Sequence, residues 1–110
     1  MKLTEEIINQ TGVLKLVGRL DAAAVKLVKE NVETLVTKHI TTIVMDMSDV
    51  DFIDSSGLGC LVSCMRLASK ENGDIKLASL QEQIRSLLEL TRLHRVFQIY
   101  DNRESAINSF

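Results

Sequence analysis

The 110-residue chain contains no proline and no low-complexity stretch, so nothing in it marks a linker or a boundary between domains. One domain over residues 1–110 is expected, long enough for a modest single core. No apolar run approaches the roughly 18–20 residues that a membrane span needs. The opening Met1-Lys2-Leu3-Thr4-Glu5-Glu6 is acidic and alternating, unlike a signal peptide. No membrane partner and a cytoplasmic location are therefore expected. Positive charge is not in excess either: a net charge of -2 offers no electrostatic basis for nucleic-acid binding. Cys60 and Cys64 are the only cysteines, and no neighbouring cysteine or histidine completes a four-ligand metal site. Two reduced, buried thiols are the expectation. His39 and His94 are the only histidines, each beside an expected helix end. The one conspicuous serine pair lacks the leading glycine of a Gly-x-Ser-x-Gly turn, which argues against a serine hydrolase. Gly57-Leu58-Gly59 has Val62 where a dinucleotide loop needs its third glycine. No enzyme activity, cofactor or metal is expected.

What is present is an ordinary globular composition, 45% hydrophobic and 25% charged, which argues against disorder. Leu3 to Gln10 and Val13 to Val17 read as strands of a hairpin, with Thr11-Gly12 as the turn; the first alternates poorly and suits an edge. Asp21 is the expected N-cap of a helix from Ala22 to His39, along which Val25, Val28, Val32, Leu35 and Val36 form an apolar stripe. Thr42 to Asp46 is a buried strand by its β-branched, apolar run. A second helix follows to about Asn72, with Leu58, Leu61, Val62, Met65 and Ala68 at helical spacing. Leu61 and Val62 are expected against the strand around Val44, and Asn72-Gly73 supplies a left-handed stop. Ile75 to Ala78 is a fourth strand, and Ser79-Leu80-Gln81-Glu82 reads as a capping box for a third helix carrying Ile84, Leu87 and Leu88 inward. Val96 to Tyr100 is a fifth strand, and a short helix near Arg103 closes the chain. The order ββαβαβαβα predicts an α/β fold on a mixed, mostly parallel sheet.

The stretch Asp49-Val50-Asp51-Phe52-Ile53-Asp54-Ser55-Ser56-Gly57-Leu58-Gly59 joins the third strand to the second helix. Ser55 falls where an N-cap belongs, beside unpaired N–H groups and the positive end of the helix dipole. A phosphate added there would find donors already aimed at it. On local chemistry alone a plain cap is the better reading of Ser55, Ser56 is its near-twin, and Asp54 is equally an acid suited to a helix N-terminus. In a parallel sheet the strand C-termini gather at one edge, so Asp21 and Asp54 are expected to share a surface. Asp46, ending a central strand, also fits a two-component receiver. A receiver needs a pair of acids after its first strand, however, and Gly18-Arg19-Leu20-Asp21 supplies no such pair.

The segment from Met45 to Leu61, with its Asp-Ser-Ser-Gly-Leu-Gly core, resembles the phosphorylation loop of bacterial anti-sigma factor antagonists, the STAS domain family. Gly18, Asp21, Leu87, Thr91, Leu93 and Phe97 extend the likeness over nearly the whole chain; Arg92 departs from it, standing where the family commonly has glycine. The resemblance implies a single STAS domain with phosphorylation at Ser55. It implies a partner surface including Asp21, Asp54, Ser56, Gly57 and Leu58, an anti-sigma factor with serine kinase activity as partner, and a PPM-type serine phosphatase that resets the site. The implied function is a non-enzymatic switch in transcription regulation. The alternative within the family is a STAS subunit of a larger assembly, such as a lipid transporter or a signalling scaffold.

Overall fold

The computed structural model describes residues 1–110. Strands β1 (Lys2–Ile8) and β2 (Thr11–Leu20) form the opening hairpin. Its turn is Asn9-Gln10, not the expected Thr11-Gly12. Both turn residues have positive φ, 50° and 66°, the left-handed pair that matches a two-residue turn to the twist of its strands. Thr11 and Gly12 instead continue β2, opposite Ile8 and Ile7.

Then follow α1 (Val25–Thr37), β3 (Thr42–Ile53), α2 (Ser55–Lys70), β4 (Asp74–Ala78), α3 (Glu82–Leu90), β5 (Ile99–Tyr100) and α4 (Arg103–Asn108), with a 3-10 turn at Leu93–Arg95. The sheet order is β1-β2-β3-β4-β5, with β1 antiparallel and the remaining neighbours parallel. The expected α/β class and element order hold.

Side chains alternate across the sheet and so divide the core. On one face Ile43, Met45 and Met47 of β3 join Leu14 and Leu16 of β2, Val28, Val32 and Leu35 of α1, and Leu61, Met65 and Ala68 of α2 in one buried cluster. Ile84, Leu88 and Phe97 complete it. The other face carries a small cluster, Val44 and Ala78 under Ala106 of α4. Leu61 therefore packs on the Met45 side, not around Val44, and Val62 is only half-buried. The period of two puts adjacent residues of β3 on opposite faces.

Several helix ends differ from expectation. Asp21 does not cap α1: its carboxylate accepts from Ala23 N–H at 3.1 Å and its carbonyl from Ala24 N–H at 3.0 Å. This forms a separate turn before the helix starts at Val25. Ser79 forms no capping box; it lies at φ 60°, and its hydroxyl donates to the Asp101 carbonyl at 3.3 Å. The second helix does stop at a left-handed Asn72, as its residue type suggests, with Gly73 N–H bonded to Ala68 O at 2.8 Å. Arg92 also takes a left-handed conformation, φ 64°, which glycine adopts more readily than arginine. The fifth strand is shorter than expected, because 93–98 makes a knuckle that sends Phe97 into the core and leaves Val96 outside.

Polar bonds pin α4 to the second face. Arg103 donates twice to Asp46 Oδ2, at 2.9 and 2.8 Å, and once to Glu6 at 3.0 Å. The buried Lys76 Nζ donates to the Ser109 hydroxyl and carbonyl, at 2.7 and 3.1 Å, and lies 4.1 Å from the centre of the Phe110 ring. Burial alone would raise the Asp46 carboxyl; bonds from Ser48 N–H and Arg103 outweigh it and hold the carboxyl below the ordinary range. An acid committed in this way is structural, which removes the receiver reading of Asp46.

Candidate functional site

The acidic run Asp49–Ile53, expected as loop, is strand. β4 ends at Ala78, opposite Asp46, but β2 and β3 pair onward through Val17–Asp49, Gly18–Val50, Arg19–Phe52 and Leu20–Ile53. Lys15 steadies this extension through a 3.2 Å ion pair with Asp49. The pairing shifts between Gly18 and Arg19, and Gly18 has φ 111°, a conformation that side-chain-bearing residues rarely adopt. Two strands thus project past their neighbours as a short ridge. Asp21 and Asp54 come immediately after its last pair, so the structure brings them to one edge as the parallel topology requires.

Asp54 is the N-cap of α2; Ser55 is its first helical residue, one position later than expected. The Asp54 carboxylate accepts from Gly57 N–H at 2.9 Å, the usual three-residue reach of an aspartate cap. Its own N–H reaches back to Leu20 O at 3.4 Å, tying the helix start to β2. A second correction concerns Gly57. It is buried and presents no surface; a Cβ there would stand 2.1 Å from Leu20 O and 2.7 Å from Ile53 Cγ1. Glycine at 57 is thus a demand of helix–strand contact rather than part of a partner surface.

Capping by Asp54 leaves Ser55 and Ser56 exposed on the first turn, where backbone N–H groups lack helical acceptors. Leu58 is half-buried beside them, and the Asp21 side chain is 29% exposed. Two further residues belong to this edge and went unnoticed in the sequence. Arg19 stacks its guanidinium 3.8 Å from the centre of the Phe52 ring and approaches Asp21 at 3.6 Å. They are a cross-strand pair, and no spacing along the chain signals such a pair.

His39 and His94 lie before β3 and β5, at the opposite edge of the sheet, so neither serine has an imidazole base. No group of three His, Cys, Asp or Glu side chains is placed to hold a metal ion. No helix is long and apolar enough to cross a membrane. The thiols are buried, and the Cys64 thiol is pushed well above the ordinary range by its hydrogen bond with Cys60 and by burial. What the edge can offer is an accessible hydroxyl on a rigid helix start, flanked by acids and one stacked cation.

The chain belongs to the STAS domain family, whose pattern matches residues 2–106. Among its relatives is the anti-sigma F factor antagonist of Paenibacillus polymyxa, 28% identical over 97% of this chain and 94% of that one. A solved Thermotoga maritima structure superposes with a TM-score of 0.90 at 29% identity, covering 97% of this chain and 92% of the other. The anti-sigma factor antagonist SpoIIAA in its unphosphorylated form superposes with a TM-score of 0.77 at 25% identity, over 98% and 96% of the two chains. The Bacillus SpoIIAA structure in the phosphorylated form gives the same score and identity, over 98% of each chain.

Proposed function

We propose that this STAS domain is an anti-sigma factor antagonist that works as a phospho-switch at Ser55, binding its anti-sigma factor when Ser55 is free and releasing it when Ser55 is phosphorylated. The observation that carries this reading is the exposed Ser55 hydroxyl on the first turn of α2, held at the tip of the β2–β3 ridge by the Asp54 cap. The similarity to SpoIIAA, whose structure is solved with and without phosphate, supports it. The partner is an anti-sigma factor with serine kinase activity, and a PPM-type phosphatase hydrolyses the phosphoserine to reset the site. The chain itself is not a catalyst. The kinase brings ATP and the base, the Ser55 oxygen attacks the γ-phosphorus, and ADP leaves as the serine proton passes to the kinase.

The switch is electrostatic. A phosphoserine carries about -1.5 to -2 charges at pH 7. On the first turn of α2 that charge meets the helix dipole and free N–H groups, so the fold tolerates it. At an interface the phosphate must lose water beside the acidic Asp54, and burying a charge without a fitted partner costs several kcal/mol. If about 3 kcal/mol survives, affinity falls more than ~100-fold. Asp21, Ser56 and Leu58 contribute contacts around the hydroxyl. Incubation with the kinase and ATP, followed by mass spectrometry, should place one phosphate on Ser55. Calorimetry should find binding kept in Ser55→Ala and weakened in Ser55→Asp. Full phosphate incorporation into Ser55→Ala, or equal affinity of the free and phosphorylated forms, would sink the proposal.

A further inference from the structure

The sheet edge opposite Ser55 carries a second feature with the character of an interface. There the chain leaves α3 and turns through Leu93–Arg95 toward β5. Leu90 is 82% exposed and Val96 50% exposed. Between them Arg92, His94 and Arg95 are all exposed. The ion pairs of the chain use Lys15, Arg19, Lys26, Arg85 and Arg103; none uses Arg92 or Arg95. Two uncovered aliphatic side chains thus frame a cluster of uncommitted cations.

The backbone sets the shape of this knuckle. Arg92 holds φ 64°, in the left-handed region that favours glycine. The chain around it is anchored: Phe97 is buried, and Arg92 N–H and Arg95 N–H bond to Glu89 O and Arg92 O, both at 3.1 Å. The knuckle is therefore a fixed shape.

We propose that the knuckle Leu90–Val96 is a docking surface for a partner protein segment that sets acidic side chains among apolar ones, separate from the Ser55 edge. Carboxylates answer Arg92, His94 and Arg95, and aliphatic side chains cover Leu90 and Val96. Nucleic acid fits less well, since phosphates do nothing to cover Leu90. An anionic membrane fits less well too, because a flat surface must also meet Glu89, exposed next to Leu90, whereas a segment can leave that carboxylate in water.

The test is an NMR titration of isotope-labelled full-length protein with a synthetic peptide alternating glutamate and leucine. Amide shifts should move saturably at residues 90–96, weaken as salt is raised, and leave Asp54 to Leu58 still. In Arg92→Glu/Arg95→Glu, and separately in Leu90→Ser, affinity should drop by at least about tenfold with an unchanged melting temperature, since these side chains are exposed. Shifts mapping elsewhere, or no saturable shift, would overturn the proposal. So would co-sedimentation with phosphatidylglycerol vesicles lost in the same variants, or concentration-dependent shifts of 90–96 without peptide, which would make the occupant a lipid surface or a second copy. No readout depends on Ser55, so either proposal can fail without the other.

Discussion

Gly57 and Gly59 lie two residues apart in the same helix, yet alanine should act on them with opposite sign. At position 57 the new Cβ would stand 2.1 Å from Leu20 O and 3.0 Å from Leu20 C. Good van der Waals separations are about 3.5–4.0 Å between carbons. The obstacle is backbone of a paired strand, so the start of α2 must move outward by about 1 Å or more. Overpacking of this kind costs up to about 3 kcal/mol. The shift also strains the Asp54–Gly57 cap, which contributes about 1 kcal/mol. Replacing glycine in a helix returns about 1 kcal/mol, leaving a net loss of about 3 kcal/mol. At position 59 nothing lies within 4 Å of the added Cβ, so only the helix-propensity gain of about 1 kcal/mol remains. Urea unfolding followed by circular dichroism should therefore separate the two variants by about 4 kcal/mol, a large share of a small domain's stability. Amide shifts in Gly57→Ala should concentrate at Leu20 and Asp54–Leu58. Equal midpoints for the two variants would refute the claim that the helix start is clamped on β2.

Leu61→Ala should cost about 2–5 kcal/mol in urea unfolding, because Leu61 is fully buried in the larger cluster; an unchanged midpoint would mean that the helix face is misassigned. The folded Asp46 carboxyl titrates below the unfolded one, so its stabilisation is complete above an unfolded aspartate's pKa of about 3.9 and fades as pH falls through the lower folded value. Arg103→Met should lower stability at pH 7 by about 3 kcal/mol and flatten that acid decline, since it leaves a buried carboxylate short of donors; a variant with the parent's pH profile would exclude Asp46 as the source. Arg92→Gly should raise stability by about 1 kcal/mol by relieving a left-handed arginine, and a loss of that size would show that the arginine side chain packs productively.

Local rules carried the reading of this chain a long way. Helical spacing from Leu58 to Ala68, the β-branched run at Thr42 and the stop at Asn72-Gly73 are each decided within a few residues, so the α/β class and the element order could be read from the amino acids alone. The same holds for the position of Ser55 at a strand-to-helix junction. Asp54 rather than Ser55 became the cap because both residue types suit that role, and only the path of the chain against Leu20 places the aspartate oxygen beside Gly57 N–H. Asp49 to Ile53 looked like loop because acids are poor strand formers; pairing with β2, helped by Lys15, overrides that preference. Val44 could not be assigned a face while the helix covering each side of the sheet was unknown. Arg103 meets Asp46 across 57 residues, and Arg19 meets Phe52 across a strand boundary. Contacts of this range leave no period in a sequence, because they depend on where whole elements come to rest.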